Sequence, residues 1–358
     1  MDLKFDSVSP LDYFASLVQS DEHFPLLEAA ASLAQDEEPE LDVQHVLDDV
    51  ARLLKKVTAR MPPGADDLTQ LAILNQVFYK DLGFGVNAND FYAPENSYLQ
   101  EVLRTRRGIP ISLAIIYIEL AQQVGLDVKG ISFPGHFLMK LSVNSGDIIL
   151  DPFNGASLSR EDIEERLEPY FINGRDPDDP PLASFLEEAS PRSILARMLR
   201  NLKTLFSEHP HWKQFLNVQQ RLVILLPEEI AERRDRGLAY ANLDCPQAAL
   251  QDLEAYLDQC PQATDAESLR RRLPELRAAT EDLLVAFPAA DHTHRGWRLA
   301  AVQMIARAKA PLRINAVSGG SEEAIAAAAE YLARAPGLTG QLISLDDFGA
   351  GAVLPLRS

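Results

Sequence analysis

Cysteine is nearly absent: the 358 residues include two, Cys245 and Cys260, in no C-x-x-C or Cys/His spacing. A disulfide framework and a cysteine-based metal site are therefore not expected. Both cysteines read as buried apolar residues in a reducing compartment. Long apolar runs are also missing. No stretch reaches the ~18 residues that a membrane helix needs. The start, Met1-Asp2-Leu3-Lys4-Phe5-Asp6, has neither the basic beginning nor the apolar run of a secretory signal. Cytoplasm is the expected location. Basic side chains are in deficit, 34 against 53 acidic, for a formal charge of −19. Such a field repels phosphate backbones and anionic lipid, so nucleic acid and membrane are not expected as partners. No G-x-G-x-x-G follows a strand-like run, which removes the usual pyrophosphate turn. No cofactor or metal is expected.

What is present is a globular composition, 46% hydrophobic and 24% charged, in a chain long enough for two or three domains. From Pro10 to about Leu82 apolar residues recur at helical spacing, as in Val43, Val46, Leu47, Val50, Leu53, Leu54 and Val57. Breaks fall at Asp36-Glu37-Glu38-Pro39 and Met61-Pro62-Pro63-Gly64. A polar loop through Asn87, Asn89 and Pro94-Glu95-Asn96 follows, then helical spacing from Ser97 to Arg104. Gly108-Ile109-Pro110-Ile111-Ser112 opens an apolar helix that stops at Gly125. Three strand-like segments, Asp127–Phe133, His136–Val143 and Asp147–Asp151, read as an antiparallel meander. Asp176-Pro177-Asp178-Asp179-Pro180-Pro181 is the expected domain boundary.

Ser112, His136 and Asp151 thus occupy a helix start, a strand start and a strand end. A nucleophile in the first turn of a helix has free N–H groups nearby to hold an oxyanion. An Asp on a neighbouring strand can orient the imidazole. Of the seven histidines, His136 alone falls in this segment. Each residue also has a plain structural use: Ser112 as a first-turn helix residue, His136 bonded beside a Pro-Gly turn, Asp151 shaping the turn before Pro152. Asn96 is a supporting candidate, able to donate its amide into a cleft or to close its own turn.

The stretches Pro94-Glu95-Asn96-Ser97, Arg107-Gly108-Ile109-Pro110-Ile111-Ser112-Leu113, Phe133-Pro134-Gly135-His136-Phe137 and Leu150-Asp151-Pro152-Phe153 resemble the SirB-type branch of the transglutaminase-like superfamily. The resemblance implies an α+β, mainly helical, papain-like domain with a small antiparallel sheet, followed by tetratricopeptide-like helices. It also implies a catalytic triad in which Ser112 holds the place of the usual Cys. A thiol can be brought to its thiolate at a helix terminus. A serine hydroxyl needs His136 to take its proton.

Pro227 and Pro261 stand one tetratricopeptide period apart, with Gly237, Tyr240, Ala249, Leu253 and Pro261 at signature positions. In the preceding unit Lys203 replaces the small Gly and Phe206 can fill the Tyr position. Leu312–Gly319 and Leu338–Asp346 resemble the last two strands of short-chain dehydrogenases, and Ala290 and His294 stand near the places of that family's Tyr-x-x-x-Lys pair. Two strands without their sheet would leave open edges, and His292-x-His294 reads as a loop. The expected domains are 1–180, with a transglutaminase-like core at about 75–170, then repeats over 181–280 and a partial dehydrogenase-like tail over 281–358. The leading functional expectation is a protein- or peptide-binding, regulatory module. The alternative is a serine-dependent acyl transferase or amide hydrolase using Ser112, His136 and Asp151. Reductase activity is not expected, and oligomeric state is left open.

Overall fold

The computed structural model describes residues 8–171, 180–208, 211–280, 282–289, 292–310, 312–335 and 337–345. The chain divides into two compact units, residues 1–244 with 252–261, and residues 245–251 with 262–358.

The first unit begins with α1 (Pro10–Leu17), α2 (Leu26–Ser32), α3 (Val43–Thr58) and α4 (Asp67–Asn75). Ser9, Asp42 and Asp66 cap α1, α3 and α4 by accepting N–H bonds from Asp12, Gln44 and Thr69. Both expected breaks fall between helices. In α3, Val43, Val46, Val50, Leu53 and Val57 form the buried stripe. A π-helical turn, Gln76–Asp81, continues α4. A short parallel pair, β1 (Gly85–Val86) with β2 (Arg107–Gly108), brackets the polar loop and α5 (Leu99–Thr105).

Next comes α6 (Pro110–Gln123), buried at every position from Ile111 to Ile118. It packs against α2, α3 and α5 and against the sheet. Fully burying one such aliphatic side chain stabilises by roughly 1.5–3 kcal/mol, so α6 is the helix around which the unit assembles. Gly125, at φ 95, ends it, and the Leu126 N–H returns to the Ala121 carbonyl at 3.0 Å.

The meander is β3 (Val128–Ile131), β4 (Leu138–Val143) and β5 (Gly146–Leu150), antiparallel in that order. Its two faces serve two cores. Val128, Met139, Leu141 and Leu150 enter the main core. Ile131, Leu138 and Ile149 join Ile163 and Leu167 of α7 (Arg160–Leu167) in a smaller one.

Four helices follow: α8 (Pro191–Glu208), α9 (Trp212–Leu225), α10 (Ile230–Asn242) and α11 (Pro246–Gln259). Residues 176–179 of the expected boundary lie outside the described residues. Packing shows no break there, because Leu195, Leu199, Val218 and Leu222 share one core with Phe14 and Val50. The division runs instead through α11. A Cβ on Gly237 would lie 2.9 Å from Leu253 Cγ, the close helix approach that the repeat signature requires. At the degenerate position, Lys203 Nζ bonds Glu232 (2.6 Å) and Asp235 (2.5 Å) of α10. Cys245 is exposed and Cys260 half-buried. They stand at the ends of α11, where the chain leaves the helix, and not in the core expected of them.

The second unit holds α12 (Ala266–Ala278), β6 (Leu283–Phe287), α13 (Arg295–Ala308), β7 (Ile314–Ser318), α14 (Glu322–Ala333) and β8 (Leu342–Ser344). The strands form a parallel sheet in the order β6-β7-β8, which corrects the expectation of two strands lacking a sheet. Leu283-Leu284-Val285-Ala286-Phe287 is a short continuous apolar run beside alanine-rich sequence, a pattern that periodicity cannot assign. Polar side chains brace this unit. Asn315 donates to Leu338 O at 2.9 Å and accepts the Gln341 N–H at 3.0 Å. Arg313 donates to the Leu332 and Ala335 carbonyls at the end of α14. Ala290 lies outside the described residues, and His294 precedes α13 as its cap residue. Among the described residues no helix is long and apolar enough to cross a membrane.

Candidate functional site

Ser112 is the third residue of α6, and at that position a helical side chain can reach back to the N-cap. Its Oγ accepts the Ile109 N–H at 3.1 Å and donates to the Asn96 carbonyl at 2.6 Å, with Ile109 O at 3.0 Å. The residue is fully buried. Gly108 makes room for it, since a Cβ there would lie 2.6 Å from Ser112 Oγ. The Asn96 side chain faces its own loop: Nδ2 donates to Asp90 O (2.6 Å) and Phe91 O (3.1 Å), and Oδ1 accepts from Asn87 Nδ2 (3.1 Å). Of the two readings of Asn96, its side chain follows the closing of its own loop and not donation into a cleft. Together Asn96 and Ser112 fasten the polar loop to the start of α6.

His136 lies in the turn before β4 rather than on the strand, because its N–H closes on Phe133 O at 3.2 Å. Gly135, at φ 64, supplies the left-handed residue of that turn. Asp151 follows β5 directly. Its Oδ1 accepts the Phe153 N–H at 2.9 Å and its Oδ2 accepts from Arg166 Nη2 at 2.7 Å. The turn after it is held from outside. Tyr79 Oη donates to Pro152 O at 3.1 Å, Asn75 Nδ2 donates to Gly155 O at 3.0 Å, and Tyr117 Oη donates to Asn75 Oδ1 at 2.7 Å. Among the described residues the His136 ring makes no hydrogen bond, to Asp151 or to any other group. Burial lowers its pKa first and the Arg166 charge lowers it next; Asp151 opposes them and Arg197 adds to the lowering. The balance favours the neutral imidazole.

A cleft of about 250 Å³ opens at His136. Its walls include Pro110 and Ile111 from the start of α6, Phe91 and Tyr92 from the polar loop, Phe137, and Arg197 and Leu205 from α8. Ser97 also lines it. The structure thus brings His136 to a cleft and Asp151 within electrostatic reach of it, while Ser112, Asp151 and Asn96 are not among the lining residues.

Sequence reasoning missed Ser97, Arg166 and Arg197. Arg197 had a readable mark, a cation inside the apolar run Ile194-Leu195-Ala196-Arg197-Met198-Leu199. Ser97 had none beyond its place beside Asn96.

Residues 44–200 match the transglutaminase-like superfamily, and residues 202–274 match the tetratricopeptide repeat. A UPF0162 protein of Xylella fastidiosa is 37% identical over 257 residues, which make up 72% of this chain and 91% of the relative. The chain belongs to the UPF0162 family. Its relatives include a UPF0162 protein of Pseudomonas aeruginosa, 32% identical over 72% of this chain and 93% of its own length. Protein SirB1 of Salmonella typhimurium is 28% identical over 64% of this chain and 84% of its own. The SirB-type resemblance of the motifs therefore holds. Residues 253–345 match a short chain dehydrogenase-like protein, which extends the resemblance of the tail to a third strand. No solved structure matches.

Proposed function

We propose that the first unit of this UPF0162 member is a cytoplasmic protein- or peptide-binding module. It works through the His136 cleft, with the tetratricopeptide-like helices extending its surface. One observation carries this reading: the Ser112 hydroxyl is fully buried and bound to backbone groups, outside the cleft that His136 lines. A serine nucleophile needs its base within hydrogen-bond reach. Ser112 spends its proton on Asn96 O. Ser97 does line the cleft, but its Oγ has no partner among the described residues, His136 included.

The acyl-transfer alternative is tested by labelling wild type, Ser112→Ala, Ser97→Ala and His136→Ala with a serine-directed fluorophosphonate. The expected result is no labelling above the His136→Ala background. Labelling that vanishes in Ser112→Ala would restore the serine-dependent enzyme, and labelling that vanishes only in Ser97→Ala would move its nucleophile there. Ser112→Ala is also expected to lose roughly 1–3 kcal/mol of stability in urea unfolding, since it strips buried backbone groups of their partner.

A further inference from the structure

We infer that the His136 cleft recognises a carboxylate, the C-terminal end of a peptide with an apolar last side chain, through Arg197, Ser97 and His136. The inference rests on the peptide-binding reading and adds the chemistry of the ligand.

Arg197 is a half-buried cation. Its Nη1 donates to Phe133 O at 2.8 Å, its guanidinium stands 5.8 Å from the centre of the Phe137 ring, and no carboxylate pairs with it among the described residues. Nearby cations on the same helices do not share this state: Arg192, Arg200, Lys203 and Arg221 each hold an acidic side chain. Among the described residues that state stands out, because charges withdrawn from water are ordinarily paired. The planar guanidinium keeps further N–H donors, and a carboxylate takes such donors in pairs.

Ser97 supplies the second, independent mark. It is fully buried, lines the same cleft, and its Oγ has no hydrogen-bond partner among the described residues. A buried hydroxyl left unpaired is costly, and a ligand oxygen would relieve that cost. His136 adds a neutral ring whose N–H is unclaimed.

The same walls choose among anions. Among the described residues Arg197 is the one permanently charged residue lining the cleft, and the whole chain carries −19, so a monoanion fits where a phosphate dianion is repelled. Arg166 is already committed to Asp151. Ile111, Phe137 and Leu205 offer apolar contact. The volume of about 250 Å³ falls below the ~300–1,000 Å³ of pockets that hold drug-sized ligands, which suits a chain end rather than a chain passing through.

The test is fluorescence anisotropy on the full chain with two fluorescein-labelled pools of random hexapeptides ending in Leu, Ile, Val, Met or Phe. One pool is the free acid and the other the amide. The acid pool is expected to bind at least about ten-fold more tightly, about 1.4 kcal/mol. Arg197→Gln is expected to erase the difference. Arg197→Lys, which keeps charge without the fork, is expected to recover part of it, so a folding defect in one variant does not decide the outcome. Equal binding of both pools, blocked by cleft-filling Thr204→Trp, would overturn the carboxylate while leaving peptide binding in place. Displacement by N-acetyl-leucine at equal affinity would overturn the chain end in favour of a small free carboxylate. Failure of both pools to bind would overturn the inference and the peptide-binding reading together.

Discussion

Ser112 and His136 are both polar residues in apolar surroundings, and their difference lies in what meets them. The serine is saturated by Ile109 N and Asn96 O. The histidine is left with charges at a distance. Burial, Arg166 and Arg197 lower its pKa and Asp151 only partly opposes them, so the folded state binds the proton less readily than an unfolded chain, whose His titrates near ~6.5. The contribution is fully present above that value and is lost as pH falls through the lower, folded pKa. Urea midpoints between about pH 7 and about pH 5 are accordingly expected to drop less in His136→Gln than in wild type. The ring resonances of His136 are expected to titrate with a midpoint below ~6.5, and a midpoint above it would contradict the electrostatic account. The place of His136 was legible because no other histidine falls in that segment. The direction of Ser112 was not, since spacing puts it in the first turn of a helix but does not say whether its hydroxyl looks outward or back at the N-cap. That the Ser97 hydroxyl has no partner, and the Arg197 guanidinium no carboxylate, among the described residues is a matter of three-dimensional placement that no one-dimensional pattern records.

At the scale of elements, α9 is tied to the turn after α2 by a buried ion pair. Arg221 is fully buried, its Nε and Nη2 bond Asp36 at 2.7 and 2.8 Å, and its guanidinium lies 4.8 Å from the centre of the Phe14 ring. Asp36→Ala would leave that cation uncompensated, and removing one partner of a buried pair costs about 3–5 kcal/mol. The double change Asp36→Leu with Arg221→Met is expected to recover most of the loss, because two apolar groups replace two desolvated charges. Urea unfolding of the single and double variants checks both. A loss under ~1 kcal/mol in Asp36→Ala would place the pair among ordinary surface bridges. Elements with a clear local signal were the legible ones: α3 from its stripe, α6 from its Pro start and Gly stop, and β3 to β5 from β-branched and large apolar residues between tight turns. β6 was not, being too short and too evenly apolar to separate strand from helix. A boundary at the proline-rich stretch does not foretell that α8 and α9 share the first core. The proline-rich stretch 176–181 marks where a helix cannot run, which is a separate matter from where packing stops.

The whole chain combines two units with different relations to known proteins. The stretch shared with the Xylella relative is 91% of that protein and 72% of this chain, so the additional length belongs to this chain. Its dehydrogenase-like match covers 253–345, and the question is whether that unit still takes a nicotinamide. Open parallel sheets bind such ligands at the carboxyl ends of strands where the strand order reverses. The described strands run in sequence, β6-β7-β8, and offer no reversal. The loop after β7, Ser318-Gly319-Gly320-Ser321, looks suited to a phosphate but is used otherwise. A Cβ on Gly320 would lie 2.8 Å from Leu345 Cβ, so that glycine serves close packing against the segment after β8. The helix it opens carries Glu322 and Glu323 in its first turn, which cancel the attraction of the N-terminus for an anion. Titrating the full chain with NADH and following nicotinamide fluorescence is therefore expected to show no saturable binding. A dissociation constant tighter than ~1 mM, about −4.1 kcal/mol, that weakens on Gly320→Val would show that the loop holds a phosphate after all. It would make the second unit a working nucleotide site in spite of its strand order and its charge.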